Sequence, residues 1–210
     1  MYLQTVFMLS IVALSQGVDK TRLWRTPPPM KGFLLNPSLG RWFIQFRSAP
    51  CGWEGSSEFR DYETTLIMDG QNIIARETMR NDVCNTVTSN LYLRSPPGVF
   101  TVKDQLGNNW SGSYVIPATD YKTFSITYGC TKVSTMGDKC DDPWLSVKTR
   151  MPNPGPKVVA MINDALMSLW GITVDHLQQV QHQQSCLTKK GPHLPFPEPF
   201  MGSGPPAVVY

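Results

Sequence analysis

The residues of this 210-residue chain with the widest chemistry are its five cysteines, Cys51, Cys84, Cys130, Cys140 and Cys186. A thiolate is a nucleophile, a reductant and a metal ligand, and two thiols can form a covalent bridge. Their spacing does not suit a metal: there is no Cys-x-x-Cys, and the three histidines, His176, His182 and His193, come late. Neither a Gly-x-Ser-x-Gly nucleophile elbow, a His-Glu-x-x-His pair nor a phosphate-binding glycine loop occurs. Disulfides are the default in an oxidising compartment. An odd count then leaves one thiol unpaired or bridged to another molecule.

The compartment is read from the N-terminus. Residues 1–17 carry no charge, residues 6–14 form an apolar run, and Ser15 and Gly17 stand before a cut ahead of Val18. That pattern reads as a secretory signal peptide, and the run is short for a membrane span. No later stretch is long and apolar enough to span. Charged residues are only 17% and the net charge is +3, with no basic run longer than two, so an electrostatic nucleic-acid surface is not expected. The apolar share of 41% suffices for one core.

The elements that must position these groups follow from periodicity. Residues 18–33, with Pro27-Pro28-Pro29, and residues 187–210 read as proline-rich extended or disordered arms around a folded unit at 34–186. Between Arg41 and Lys148 the period is two: Trp42, Ile44 and Phe46 alternate with Phe43, Gln45 and Arg47, and Tyr62, Thr64, Leu66 and Met68 share a face before an Asp69-Gly70 turn. Further strands are expected at 72–80, 86–94, 99–103, 111–117, 121–128 and 144–149, separated by Asn, Asp, Gly and Pro. Eight short strands argue an all-β meander, either barrel or sandwich. Over 157–169 apolar residues recur at three- and four-residue steps, which predicts one amphipathic helix opened by Pro156 and closed by Gly171.

Three short motifs in this order resemble those of the lipocalins. Gly40-Arg41-Trp42-Phe43 resembles the Gly-x-Trp that opens their first strand, Thr119-Asp120-Tyr121 their Thr-Asp-Tyr motif, and Arg150 the arginine after their eighth strand. The resemblance implies an eight-stranded antiparallel up-and-down barrel with one C-terminal α-helix packed outside. Gly40, Trp42, Thr119, Asp120, Tyr121 and Arg150 would be structural, with Arg150 lying over Trp42 at the closed end. It also implies a bridge from Cys84 to Cys186. A second bridge, Cys130 to Cys140, spans a nine-residue loop between two hairpin strands and lies outside the usual family pattern.

Cys51 then remains, in a long first loop that the resemblance puts at the barrel mouth. Its alternatives are pairing with Cys130 or Cys140, capping by a small thiol, a tether to a partner protein, or a reactive thiol made more acidic by Arg47. A cysteine at this spacing, with Arg80-Asn81-Asp82-Val83 before Cys84, resembles alpha-1-microglobulin and the gamma subunit of the eighth complement component. Haem binding enters as an expectation through that branch, and no other cofactor is required. Asn109-Trp110-Ser111 is a glycosylation sequon. In a barrel of this size the inward residues line a cavity for one small lipophile. The expected lining is Ile44, Phe46, Cys51, Tyr62, Thr64, Ile74, Tyr92, Phe100, Tyr114, Phe124 and Ile126. Prostaglandin D synthase shares the Gly-Arg-Trp-Phe run, but its nucleophilic cysteine falls at Thr64, so that activity is not expected. The resemblance therefore implies a secreted, glycosylated carrier or scavenger of a small hydrophobic molecule and not an enzyme. The alternative is an interaction subunit tethered through Cys51.

Overall fold

A computed structural model describes residues 20–23, 25–48, 59–104, 111–130 and 139–186. Eight antiparallel strands follow one another around a closed barrel: β1 (Gly40–Arg47), β2 (Arg60–Asp69), β3 (Asn72–Arg80), β4 (Cys84–Arg94), β5 (Val99–Asp104), β6 (Ser111–Thr119), β7 (Phe124–Cys130) and β8 (Pro143–Thr149). Each pairs with the next, and β1 closes the ring by pairing with both β8 and β2. The expected helix is α1 (Pro156–Trp170), with Pro156 in its first turn and Gly171 at φ +65° ending it. Ile162 and Leu166 are fully buried against Phe124, Ile126, Tyr128, Leu145 and Val147 on the outer faces of β7 and β8. Among the described residues no helix is long and apolar enough to cross a membrane.

The closed end is built from the motif residues. Gly40, at φ +90°, lets the chain pass close to Arg150: a Cβ there would lie 3.4 Å from the Arg150 guanidinium. That guanidinium sits 3.5 Å above the Trp42 ring and donates to the carbonyls of Arg41, Pro37 and Tyr121. Trp42 Nε1–H donates to the Ser38 carbonyl, so a fully buried indole keeps its hydrogen bond. Asp120 caps the β6–β7 turn. Its Oδ1 accepts from the N–H groups of Lys122, Thr123 and Phe124, and its Oδ2 accepts from the Thr123 hydroxyl. Burial opposes its charge, yet those donors hold its carboxyl below the usual range.

The N-terminal arm departs from expectation. It is not loose: Leu23 and Phe33 are buried, Tyr128 O–H donates to the Leu23 carbonyl, and Met30 N–H donates to Ile116. Packing on the barrel therefore reaches back at least to Leu23, because Leu23 and Phe33 supply apolar side chains that composition alone hides among prolines. The expected signal segment at 1–17 and the expected C-terminal arm at 187–210 lie outside the described residues.

After α1 the chain crosses back to the mouth half of the barrel. There β9 (Gln178–Gln179) pairs with Phe46 and Arg47 of β1, whose pairing with β2 ends at Phe43. Val180 N–H then bonds the Gln45 carbonyl, and Asp61 N–H bonds the Gln181 carbonyl. This segment fills the space between β1 and β2, and Val180 packs with Ile44, Tyr62 and Met79. Asp61, at φ +51°, accepts hydrogen bonds from Gln183 N–H, Gln184 N–H and Arg80. Its burial raises the carboxyl, but the Gln184 and Gln183 amides and Arg80 together hold it below the usual range. Cys84–Cys186 ends this run, and Cys130–Cys140 closes the β7–β8 loop, with Cα separations of 5.5 and 5.8 Å.

Candidate functional site

The barrel interior is the candidate site, and strand register decides which side chains reach it. Tyr114 pairs with Gly129, and Gly129 with Trp144, so these three share a face. Tyr114 stacks on Phe100 with centroids 4.9 Å apart and lies 6.2 Å from Trp144, which covers Gly129. Leu66, Ile73, Ala75, Leu91, Val102 and Ile116 complete the apolar lower wall. On the same inner surface Trp144 and Val87 are only partly buried.

Ile44, Tyr62, Thr64, Phe100 and Tyr114 therefore face inward. Five other expected lining residues do not. Phe46 is turned outward because the β1–β8 register shifts between Ile44 and Phe46, which brings Phe46 opposite Val147 under the helix. Ile74 pairs with Asn90 and Ile67 on the outer face, because the β2–β3 turn sets Met68 against Ile73. Tyr92 is outward as well, with the Lys103 ammonium 5.6 Å from its ring. Phe124 and Ile126 are buried, but beneath α1. Cys51 and Asn109 lie outside the described residues.

Two charged residues that sequence reading passed over face the interior. Lys148 continues the inward series Trp144, Ser146, Lys148 and pairs with Ile44 and Ser125. Glu77 follows Ile73 and Ala75 on the inward face of β3, and Tyr62 O–H donates to its Oε2 at 3.1 Å. Burial pushes the Glu77 carboxyl up, with the Lys148 charge and the Tyr62 hydroxyl pulling back only in part. Burial likewise pushes the Lys148 ammonium down against the opposing pull of Glu77, and raises the Tyr114 phenol. The available signal was the tight β2–β3 turn: with Leu66 inward, it makes Ala75 and hence Glu77 inward too.

The arrangement is a barrel closed below by Trp42 and Arg150, with an aromatic and aliphatic wall and two charged side chains, Glu77 and Lys148, that are not in contact. The fold is that of the lipocalins. The barrel resembles major allergen Per a 4 from cockroaches at a TM-score of 0.60 and 16% identity, over 76% of this chain and 96% of that one. It resembles lobster apocrustacyanin A1 at 0.57 and 14%, over 72% and 81%. Insecticyanin from the tobacco hornworm Manduca sexta matches at 0.57 and 13%, over 76% and 91%. No family model matches the chain, and no curated protein matches it in sequence. At these identities the likeness is one of fold. Beside its eight barrel strands the chain has the short β9, paired with β1, and the Cys130–Cys140 bridge.

Proposed function

We propose that this chain is a secreted lipocalin that carries or scavenges a small hydrophobic molecule inside the barrel. The observation that carries the reading is the inward wall of Phe100, Tyr114, Trp144 and Val87, closed below by Trp42, on which Trp144 and Val87 are only partly buried. Two disulfides fit secretion, because such bridges persist in oxidising compartments. Catalysis is not part of the proposal. The test is a titration with the neutral fluorophore N-phenyl-1-naphthylamine, beside a Val87→Trp variant that fills the interior. Saturable binding by the wild type that the variant loses while keeping its fold supports the reading. Binding of equal strength by both proteins places the probe elsewhere and refutes it.

A second reading rests on the cysteine pairing. Cys84, Cys186, Cys130 and Cys140 pair among themselves, which leaves Cys51 without an intramolecular cysteine. The proposed role is a reactive thiol or a tether to another extracellular protein, as the likeness to alpha-1-microglobulin and the complement subunit suggests. Intact mass of the natural protein before and after reduction, beside Cys51→Ser, decides it: an adduct lost in the variant supports the role, and a bare monomer ends it. Haem is the narrower proposal from the same likeness. A Soret shift on titration supports it, and no shift ends it.

A further inference from the structure

A lysine enclosed in a barrel calls for an anion. Isolated buried charges are strongly disfavoured, so they are paired, neutralised or matched by a ligand. Among the described residues the Lys148 ammonium makes neither a hydrogen bond nor an ion pair; Glu77 acts on it electrostatically without contact. Two hydroxyls on the same inner surface are also without partners. Ser146 Oγ, on the inward residue next to Lys148 along β8, and Thr64 Oγ1, across β1 beside Trp42, are both buried and unbonded. Buried polar atoms left unsatisfied are uncommon in folded proteins; of the five among the described residues, Ser146 Oγ, Thr64 Oγ1 and Trp144 Nε1 are on the inner wall with Lys148, and Thr78 Oγ1 and Trp170 Nε1 are elsewhere.

Resting on the carrier reading, we propose that the cavity takes an amphipathic carboxylate, head first, with the carboxylate bound by Lys148 and the hydroxyls of Ser146 and Thr64. The depth supports that orientation. Lys148 opposes Ile44, two residues along β1 from the Trp42 floor, a rise of about 7 Å in strand geometry. The headgroup is therefore low in the barrel, and the hydrocarbon tail runs towards the mouth past Tyr114 and Trp144. Glu77 has two states here. Ionised, it competes with the ligand for the Lys148 charge. Neutral, it still exchanges a hydrogen bond with Tyr62 and leaves that charge to the ligand.

The experiment compares cis-parinaric acid with its methyl ester, which share a tail and differ in charge. The wild type is expected to bind the acid roughly ten- to a hundredfold more tightly, the scale of one charge-assisted contact. Lys148→Met brings the acid down to the level of the ester, and Glu77→Gln, which removes the competing carboxylate, tightens the acid alone. Equal affinities for acid and ester in the wild type overturn the proposal without any variant, as does an acid-to-ester ratio that Lys148→Met does not change. If neither probe binds, the carrier reading fails and this inference with it.

Discussion

Gly129 is the residue whose replacement tests the interior most directly. It lies opposite Trp144 in the β7–β8 ladder, and a Cβ built on it would stand 2.0 Å from Cε2, 2.1 Å from Cζ2 and 2.3 Å from Nε1 of the indole. Carbon atoms pack at about 3.5 Å or more, so Gly129→Ala requires the ring to retreat by about 1.5 Å. The ring is stiff, and Tyr114 stands 6.2 Å away between its centroid and that of the indole. Overpacking of this kind costs about 1–3 kcal/mol, while the smaller unfolded-state entropy of alanine returns about 0.4–1 kcal/mol. A net loss of about 1–2 kcal/mol is expected in urea unfolding with an unchanged m-value, together with an altered near-ultraviolet circular dichroism spectrum. In a Trp144→Leu background the indole is gone, and the alanine penalty should shrink by at least about 1 kcal/mol. An alanine penalty of the same size in both backgrounds, or wild-type stability with an unaltered aromatic spectrum, refutes the packing argument.

Arg150→Met removes donors from three carbonyls and the cation above Trp42, and a loss of about 2–4 kcal/mol is expected in thermal unfolding. Arg150→Lys keeps the charge without the planar fork and should recover less than half of it. Asp61→Asn weakens three hydrogen bonds to a buried carboxylate and should cost about 2–4 kcal/mol at neutral pH. The folded Asp61 carboxyl is more acidic than the unfolded one, so its contribution is complete above about pH 3.9 and lost as pH falls through the folded value. The gap between Asp61→Asn and wild type should therefore close in acid, and a gap independent of pH would count against the charge. Removing both Cys84 and Cys186, which are 102 residues apart, should cost about 4.7 kcal/mol by loop-closure entropy. Removing Cys130 and Cys140, which are 10 apart, should cost about 2.7 kcal/mol, and the reverse order in denaturant unfolding would reject that account.

Much of the fold was legible because local chemistry and global architecture agree. Alternation marks the strands, the Pro156 and Gly171 boundaries mark α1, and the spacing of Trp42, Asp120 and Arg150 marks the closed end. The inward faces were legible only in part, for two physical reasons. Register shifts at Ile44/Phe46 reverse alternation within β1, and alternation by itself does not reveal them. The outer face of β7 is covered by α1, so all seven of its residues are buried and hydrophobicity no longer distinguishes in from out. The charged interior was hidden for a related reason: in sequence, Glu77 and Lys148 look like residues of a solvated face. The segment from Gln178 to Val180 carries two glutamines and no period, and only the missing length of β1–β2 pairing makes a strand of it.

That late strand bears on the order in which the molecule is assembled. All eight barrel strands and the helix leave the ribosome before residues 178–186. Until that segment docks, the mouth half of β1 has no neighbour towards β2, and a lateral slit runs down the wall beside Ile44 and Tyr62. A nascent chain thus offers its interior from the side as well as from the top. Formation of the Cys84–Cys186 bridge fastens the segment that shuts the side route. Oxidation is then the step that fixes this side of the barrel wall covalently.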